Sequence, residues 1–411
     1  MDTAAHHIAQ SVTGVSTPRW MNEEHILLAD MVRKFLSAEL VPNANEWAKQ
    51  GVVPKKFWRQ AGELGLLGTS IPEEYGGSGG DHGYDLVVLH EQGRAGDVGW
   101  GISVHSIVIH YVLNCGTDEQ KQRWLPKLSS GELIGAIAMS EPGTGSDLQG
   151  IRTTATLDGD EYIINGSKTF VTNGQNANLV VVATKTDPAL GAKGISLVVV
   201  ETDGAEGFRR GQTLEKIGMK AQDTSELFFD NLRLPAANLL GGTAGQGFYQ
   251  LMQELGFERL AISVTALGCS ELALSETIRY AGERKAFGKS LMEFQNTRFK
   301  LAECKTKLEA MRAFLNDAIE NLLAGHLEPA TASMVKLFST ETQGEIVDDC
   351  LQLHGGYGYM FDYPIARLYV DARVQRIYGG TSEIQKEIIA RSLSAGYSEH
   401  VNEAFSGRDD D

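Results

Sequence analysis

Two segments in the middle of the chain have the composition of loops that contact a ligand through their backbone. The first, Met139–Asp147, reads MSEPGTGSD, in which proline and glycine let the backbone come close to a ligand while Ser140 and Ser146 add hydroxyls. The second reads KTFVTNG and places Phe170 and Thr172 two residues apart, hence on one side of an extended chain. An aromatic face beside a hydroxyl could cover a planar ring system. Taken singly, the segments also fit an ordinary turn and a core phenylalanine beside a surface threonine.

A basic segment later in the chain could bind phosphate. The run ERKAFGKSLMEFQ, Glu283–Gln295, brackets Phe287 with Arg284, Lys285 and Lys289. Cations beside an aromatic ring suit a pyrophosphate with an attached adenine, or a subunit interface. A solvated basic helix end explains the pattern equally well.

Two glycine pairs near the C-terminus predict chain breaks. Gly355-Gly356 lies in DDCLQLHGGYGYM and Gly379-Gly380 lies in YGGTSEIQ, and glycine is unfavourable inside a helix. Thr381 then suits the N-cap of a following helix. Because the N-terminus of a helix carries free N–H groups, the second break predicts a site for an anion or a carbonyl oxygen.

The elements that hold these segments fall into three stretches, the first of which is helical. From Trp20 to Leu133 the apolar spacing predicts helices, one of them over Asn22–Leu40. Thr117 and Gln120 form a capping box and predict another helix start.

The second stretch is β and the third is helical again. Short runs rich in Val, Ile, Thr and aromatics, bounded by turn signals such as Asp-Gly, predict strands at Arg152–Leu157, Tyr162–Asn165, Leu179–Thr184, Ile195–Glu201 and Glu226–Phe229. Beyond Gly247 the long periodic run Phe294–Leu323 predicts a helix of a bundle. This order differs from the alternation of a doubly wound nucleotide-binding fold, and neither GxGxxG nor GxxxxGK[ST] occurs.

Length, charge and cysteine content exclude several classes of protein. A chain of 411 residues is too long for one core, so two or three domains are expected. A formal net charge of −16 disfavours binding to nucleic acid or to an acidic membrane surface, so an anionic ligand needs local positive charge. No apolar run approaches the roughly 20 residues of a membrane span, which predicts no membrane insertion. The four cysteines form no CxxC pair, which disfavours a disulfide framework or metal site and favours a reducing compartment.

The two ends of the chain are expected to be frayed. We predict tails at 1–18 and 397–411. The N-terminus has neither a secretion signal nor an Arg-rich transit pattern. We therefore expect the cytoplasm of a bacterium, or the mitochondrial matrix for a mature form whose transit peptide has been removed.

Six segments in a fixed order are far more specific than any one of them. They read EPGTGSD, KxFVTNG, GMKAQDTSELFFDNLRLP, ERKAFGK, QLHGGYGY and YGGTSEIQ. The set resembles the acyl-CoA dehydrogenase family over nearly the whole chain, and from Gly218 to Arg391 it is most similar to the long-chain members. The resemblance implies an α+β fold, with an N-terminal helical domain at 19–134, a middle antiparallel β-barrel at 135–245 and a C-terminal four-helix bundle at 246–396. It also implies that FAD binds without a Rossmann fold.

The resemblance assigns the flavin contacts to the two middle segments. The loop that contains Met139, Ser140 and Gly145 should hydrogen-bond the isoalloxazine ring. Phe170 should lie against the flavin and Thr172 should bond its polar edge. Many family members have Trp where this chain has Phe170, so the stacking on the flavin should differ in detail.

Further cofactor contacts are implied in the C-terminal part. The positions that bind the FAD of a neighbouring subunit in this family are matched by Arg284, Phe287, Gln295, Gln352, Gly355 and Gly356. Thr381 and Glu383 match contacts on the ADP side. A cofactor shared between chains implies a homo-oligomer, which in this family is usually a homotetramer.

The catalytic base is where the chain departs from the most familiar family pattern. Many members carry the catalytic glutamate where this chain has Gly379, in YEGTS rather than YGGTS. The long-chain and isovaleryl members supply it from an earlier helix, in a motif that ends in ERL, and that motif is Gly256–Leu260 here. Glu258 is therefore the expected base. Glu254 lies on the same helical face and is the local rival, which we predict to lie on the surface.

The implied reaction removes a proton from Cα and a hydride from Cβ of an acyl-CoA. Glu258 takes the proton, hydrogen bonds from the Gly379 N–H and a ribityl hydroxyl of FAD polarise the thioester carbonyl, and the product is a trans-2-enoyl-CoA. Electrons then pass to an electron-transfer flavoprotein. The expected substrate contacts are Ser146, Arg259, Tyr378, Gly379 and Gly380.

The substrate and two other functions stay open at this point. The acyl chain should be medium or long, straight or branched, and its pocket should lie near Trp100–Ile109, where Gly99 and Gly101 would leave room. A flavin oxidase or monooxygenase of the same fold would keep the FAD motifs. A non-catalytic flavoprotein scaffold is the other alternative, which the missing glutamate at position 379 favours and Glu258 disfavours.

Overall fold

The computed structural model of the protein describes residues 17–406, with side chains up to residue 394. The chain forms a helical part, a β part and a second helical part in that order, which confirms the predicted fold class. The tail predicted at 1–18 lies outside the described residues except for Thr17 and Pro18.

From residue 17 to residue 134 the structure contains six α-helices. They are α1 Glu23–Phe35, α2 Ala44–Gln50, α3 Lys55–Glu63, α4 His82–Ala95, α5 Ile102–Cys115 and α6 Asp118–Ser129. The predicted capping box of Thr117 with Gln120 is present at the start of α6, and Asn22 caps α1 by accepting a hydrogen bond from its backbone. After α1 the chain continues through a π-helical turn, Leu36–Leu40, so the helix predicted over Asn22–Leu40 is confirmed as two segments.

The middle part contains seven strands in one sheet. They are β1 Gly135–Ala138, β2 Thr154–Asp158, β3 Glu161–Thr172, β4 Leu179–Lys185, β5 Ile195–Glu201, β6 Phe208–Thr213 and β7 Thr224–Pro235, in the order β1-β4-β2-β3-β7-β6, with β5 paired to β4. The sequence patterns missed β1, which has four residues, and β6, which reads FRRGQT and is mostly polar. β1 and β2 pair with β4 in parallel, so the sheet is mixed and the expectation of a purely antiparallel barrel is wrong.

Strands β4 and β5 are apolar on both faces because each face meets a different core. Val180 and Val182 point into the apolar core of the β part, whereas Val181 packs with the helices. The same alternation continues in β5. This two-sided burial explains the continuous apolar runs of these strands. It also fixes the β part firmly against the helices.

The C-terminal part is built around one long helix. Its helices are α7 Gly247–Glu283, α8 Gln295–Leu323, α9 Pro329–His354, α10 Pro364–Gln375 and α11 Ser382–Ser406, and a short hairpin, β8 Lys285–Ala286 with β9 Lys289–Ser290, follows α7. α9 packs against α7, α8 and α11, and α7 also packs against α4 and α5. The breaks predicted at the two glycine pairs are present, since α9 ends at His354 and α11 begins at Ser382.

The structure bears on three further expectations, which concern the C-terminal tail, membrane insertion and the cysteines. α11 is helical to Ser406 and so extends into the segment predicted to be a tail from residue 397. Within the described residues no helix is long and apolar enough to cross a membrane. All four cysteines are free thiols. We propose domain boundaries at 134/135 and 245/246, because both positions fall in connections next to β1 and α7.

Candidate active site

The carboxyl group of Glu258 is buried where α5 packs on α7. Glu258 lies in the most buried section of α7, is 5% exposed, and its Oε1 accepts a hydrogen bond of 3.0 Å from the hydroxyl of Tyr111 on α5. Burial raises the pKa of Glu258 to about 7, and the carboxylate of Glu254 also raises it. The Tyr111 hydrogen bond, the charge of Arg259 and His110 act in the opposite direction. The carboxyl group is therefore suited to take up a proton near neutral pH.

Glu254 is buried as well, which makes the prediction of a surface position wrong. It is 4% exposed, and its Oε1 accepts a hydrogen bond of 3.0 Å from the Asn114 side chain. The physical reason is the packing of α5, which covers the face of α7 that carries both Glu254 and Glu258. Burial raises the pKa of Glu254, and the Asn114 hydrogen bond opposes this rise. Two carboxyl groups one helical turn apart thus share a buried environment.

The turn that contains Gly379 lies against the same helix. Gly379 has φ 64°, and a Cβ built on it would lie 2.4 Å from Cδ1 of Ile262. Ile262 follows Glu258 by one helical turn, so both side chains lie on one face of α7. The turn therefore approaches α7 beside Glu258, although the two segments are more than 100 residues apart in the sequence.

The backbone carbonyls of this turn are held by side chains that the motif analysis did not assign. Nε2 of Gln385 donates to the carbonyl oxygens of Gly379 at 2.9 Å and Gly380 at 3.0 Å, and Nζ of Lys336 donates to that of Gly380 at 2.8 Å. Within the described part of the chain, the Gly379 N–H donates to no acceptor. The turn thus has fixed carbonyls and a free N–H, which is the arrangement that binds a substrate carbonyl.

Two other predicted substrate residues flank this region. Arg259 is 4% exposed and its Nη1 donates to the Pro329 carbonyl at 3.5 Å. Burial lowers the pKa of Arg259 and raises that of Tyr378. Lys336, which no motif singled out, is fully buried, and burial lowers its pKa to about 8. A lysine within the short apolar run Met334–Phe338 was the signal that could have identified it.

A buried ion pair joins the two middle segments to one another. Nζ of Lys168 is fully buried and donates to the Met139 carbonyl at 2.9 Å and to Oε1 of Glu141 at 2.9 Å. The N–H of Thr169 donates to the Ser140 carbonyl at 3.0 Å. The loop that carries Met139 and Ser140 is therefore fixed to the end of β3.

Phe170 presents its ring outward from the end of β3. It is 69% exposed and has φ 58°, at an irregularity in the pairing of β3 with β7 between Lys168 and Val171. The prediction that Phe170 and Thr172 lie on one side assumed an extended chain, but the chain is not extended at Phe170. Thr172 is half-buried, and its hydroxyl donates to the Gln222 side chain at 3.4 Å.

The surface around this loop is open enough for a planar cofactor. Gly145 and Ser146 are exposed, and a Cβ built on Gly145 would meet no other atom within 4 Å. An exposed aromatic ring, hydroxyl groups and accessible backbone together fit an isoalloxazine ring. Ser140, Phe170 and Thr172 would hold it.

Gly99 and Gly101 do not leave room for an acyl chain. A Cβ at Gly101 would lie 2.1 Å from Oδ1 of Asn173, and one at Gly99 would lie 2.6 Å from Cβ of Ala221. The side-chain amide of Asn173 donates to the carbonyls of Gly101 and Gly135, both at 3.0 Å. These glycines permit close contact between the N-terminal part and the β part. The expectation that Gly99 and Gly101 leave room for the substrate is therefore wrong, and these glycines give no information about the length of the acyl chain.

The basic and aromatic segment lines a second site at the surface. A groove with a volume of about 560 Å³ lies between the end of α7 and the end of α9, and its lining includes Tyr280, Arg284, Leu291, Gln352, Gly355, Gly356 and Tyr357. The Arg284 guanidinium lies 5.7 Å from the centre of the Tyr357 ring. Phe287 is 96% exposed at the tip of the β8–β9 hairpin, with φ 52°. A cation, aromatic rings and open glycine backbone fit the adenosine diphosphate part of a dinucleotide.

The remaining predicted cofactor residues are also accessible. Gln295 is exposed at the start of α8, and Glu383 is exposed in the first turn of α11. Thr381 caps α11, because its hydroxyl accepts from the N–H of Ile384 at 3.3 Å. Within the described residues, no hydrogen bond joins the groove to the Met139–Ser146 loop. The two surfaces are therefore separate within one chain.

A buried carboxyl group with a raised pKa lies beside a turn with a free N–H. The same helical–β–helical scaffold carries an accessible aromatic surface. This arrangement is suited to a flavin-dependent oxidoreductase. Family models of the acyl-CoA dehydrogenases match the chain in three consecutive parts, the N-terminal domain at residues 22–132, the middle domain at 136–232 and the C-terminal domain at 245–394. The chain belongs to the acyl-CoA dehydrogenase family.

Individual relatives agree with this assignment. The chain is 48% identical over 388 residues to the mitochondrial long-chain specific acyl-CoA dehydrogenase of Sus scrofa, covering 94% of this chain and 90% of that protein. It is similar to the crystal structure of acyl-CoA dehydrogenase from Geobacillus kaustophilus, with TM-score 0.89, 48% identity and coverage of 92% and 100% of the two chains. A glutaryl-CoA dehydrogenase from Mycobacterium smegmatis, solved in complex with FADH2, matches with TM-score 0.86 and 30% identity over 92% of this chain and 96% of that one. The protein is thus a flavoprotein oxidoreductase of fatty-acid metabolism, and its cofactor is FAD.

Proposed function

We propose that the protein oxidises a medium- or long-chain acyl-CoA to the trans-2-enoyl-CoA, with Glu258 as the catalytic base. The observation that carries this proposal is the buried carboxyl group of Glu258, with a pKa of about 7, beside a turn whose Gly379 N–H is free. The identity of 48% to a long-chain enzyme supports the longer substrates.

The Gly379 N–H and the Glu258 carboxylate act on different atoms of the thioester. A carboxylate in water is too weak a base for the α-proton, so the carbonyl must be polarised as negative charge develops on its oxygen. The Gly379 N–H donates to that oxygen while Glu258 takes the α-proton. When bound, FAD supplies the two-electron acceptor for the hydride that leaves Cβ. Gln385 and Lys336 keep the turn in place for this purpose, because they hold its carbonyls.

The cofactor and substrate contacts are proposed on the same grounds. For FAD we propose Met139, Ser140, Gly145, Ser146, Phe170, Thr172, Arg284, Phe287, Gln295, Gln352, Gly355, Gly356, Thr381 and Glu383. For the acyl-CoA we propose Ser146, Arg259, Tyr378, Gly379 and Gly380.

The exposed groove at Arg284 and Gln352 supports an assembly of several copies. A surface that suits adenosine diphosphate, and that no hydrogen bond joins to the flavin loop of its own chain, fits a cofactor shared between subunits. We propose a homotetramer and an electron-transfer flavoprotein as the partner that reoxidises the cofactor. We propose the bacterial cytoplasm as the location of the protein, or the mitochondrial matrix for a mature form whose transit peptide has been removed.

An anaerobic titration of the FAD-loaded protein tests the reaction. Acyl-CoA thioesters of increasing chain length should bleach the yellow flavin band and yield enoyl-CoA, with little hydrogen peroxide on admission of air. Peroxide in an amount equal to the enoyl-CoA would support a flavin oxidase. Absence of bleaching with every chain length would support a scaffold without catalysis.

One substitution tests the base. Glu258→Gln should retain FAD and bind enoyl-CoA, yet lose the rate of bleaching by about 10²-fold or more, because an amide cannot accept the α-proton. Unchanged bleaching would refute the assignment of Glu258. Glu276→Gln, half-buried and farther along the same helix, is the matched control and should bleach normally.

A further inference from the structure

The hydroxyl of Tyr111 contacts the proposed base directly. Tyr111 is fully buried in α5, and its hydroxyl donates to Oε1 of Glu258 at 3.0 Å. One turn away, Asn114 of α5 donates to Glu254 of α7 at 3.0 Å. Residue numbers rise along α5 as they fall along α7, so two antiparallel helices are joined by two successive hydrogen bonds, each to a buried carboxyl group.

This contact differs from an ordinary buried tyrosine hydroxyl with a chance partner. A buried tyrosine hydroxyl usually finds some acceptor. Here the acceptor is one oxygen of the group that must take the substrate proton. Within the described residues, Oε2 of Glu258 takes part in no hydrogen bond to the protein. The two carboxyl oxygens are therefore not equivalent.

We propose that Tyr111 is a positioning residue for the base: its hydroxyl holds Oε1 of Glu258, turns Oε2 toward the substrate α-proton, and stabilises the carboxylate form. The proposal rests on Glu258 being the base. When the α-proton moves from Cα to Oε2, the hydroxyl stays bonded to Oε1. Tyr111 thus acts through Glu258 and does not itself exchange a proton with the substrate.

The charged groups around Glu258 fix the direction of the expected effect. Glu254 and Arg259 face it from α7, and Tyr111 and His110 face it from α5. Lys336 on α9 faces Arg259. Burial favours the neutral carboxyl group, whereas a donated hydrogen bond favours the carboxylate. Loss of the Tyr111 hydroxyl must therefore raise the pKa of the base.

The test is the pH dependence of flavin reduction in Tyr111→Phe. Stopped-flow bleaching of the FAD-loaded protein with a saturated acyl-CoA should increase with pH through the pKa of the free base. In Tyr111→Phe the midpoint of this increase should move up by about one pH unit, as expected for loss of one hydrogen bond to a charged group. Above the midpoint, reduction should stay about tenfold slower, because the carboxylate is less well oriented.

A second variant keeps the test independent of packing changes. Incorporation of 3-fluorotyrosine at position 111 supplies a stronger hydrogen-bond donor of nearly the same shape, so the midpoint should move down. Tyr162→Phe removes another buried tyrosine hydroxyl, in the β part and away from Glu258, and should leave the midpoint unchanged. FAD content and enoyl-CoA affinity should stay unchanged in all three.

The outcomes separate this proposal from the proposed function. If the midpoints of Tyr111→Phe and of the 3-fluorotyrosine protein both coincide with that of the unaltered protein, the positioning role is refuted while Glu258 can still be the base. If Glu258→Gln itself bleaches at the normal rate, the proposed function fails first.

Discussion

Gly379 and Ile262 form a packing pair that can be tested by adding and removing single carbon atoms. Gly379→Ala adds a Cβ that would lie 2.4 Å from Cδ1 of Ile262. Ile262→Val removes that Cδ1 atom, and the next nearest atom, Cγ1, lies at 3.9 Å, which is an ordinary contact. The second substitution should therefore relieve the first.

The expected magnitudes follow from the two separate costs of Gly379→Ala. A residue other than glycine at φ 64° costs about 1–2 kcal/mol. The close approach to Ile262 adds about 1–3 kcal/mol of overpacking. Ile262→Val alone costs about 0.5–1.5 kcal/mol. In the double variant the overpacking cost disappears, so the two substitutions should be coupled favourably by about 1–3 kcal/mol.

Thermal unfolding of the four members of this cycle measures the coupling. For a domain of the size of the C-terminal part, each kcal/mol shifts Tm by about 2–4 °C. The double variant should therefore melt several degrees above the value obtained by adding the two single shifts. Ile278→Val, farther along α7, is the matched control and should show no coupling to Gly379→Ala.

The same pair governs whether a base can be moved to the turn. In the Glu258→Gln background, Gly379→Glu should recover little bleaching, because its side chain meets Ile262. Adding Ile262→Val should recover more. If the stability changes of Gly379→Ala and Ile262→Val add to within about 0.5 kcal/mol in the double variant, the two positions are not in contact. Failure of Ile262→Val to raise bleaching would refute the idea that contact with Ile262 prevents a glutamate at position 379 from acting as the base.

Two further substitutions test buried ion pairs. Glu271→Gln removes the buried carboxylate that Arg312 and Arg94 share, and leaves Arg312 paired with the more exposed Glu309. The substitution should cost about 3 kcal/mol at neutral pH. The charges around Glu271 lower its pKa to about 2, so its contribution is present above its ordinary value of 4.5 and is lost as pH falls from there toward 2. Thermal unfolding measured against pH should become flatter in this range, and an unchanged slope would contradict the assignment. Lys168→Met leaves Glu141 buried without its cation and should lower the ratio of FAD to protein after dialysis, whereas Lys185→Met, in the same sheet, should not. Equal FAD content in both would contradict the role of Lys168.

Local patterns were enough to predict most of the elements. The Asn22 and Thr117 caps mark the starts of α1 and α6, and the Thr381 cap marks that of α11. These starts were predictable because a capping hydrogen bond joins residues only two or three positions apart. The parallel pairing of β1 with β4 was not predictable in this way, since Gly135 lies opposite Leu179 and no local pattern relates them.

The surroundings of the base were beyond local patterns for the same reason. Tyr111 and Glu258 are 147 positions apart, and Lys336 and Gly380 are 44 apart. The resemblance to a family predicted Glu258 as the base, but the burial of Glu254 follows from the packing of α5 on α7. A periodic pattern shows that a residue lies on a helical face, and only the tertiary contact shows what covers that face.

The glycine at position 379 and the glutamate at position 258 form one structural arrangement, and are not two independent changes of sequence. At φ 64° the turn favours glycine, and the space beside it is filled by Ile262, which lies on the α7 face that carries Glu258. A glutamate at 379 would have to displace this isoleucine and strain the turn, whereas a glutamate at 258 needs neither change. On α7 the carboxyl group also meets the Tyr111 hydroxyl, a partner supplied by a rigid helix. In the proposed mechanism, the orientation of the base is therefore set by two packed helices, and the turn presents its N–H to the substrate.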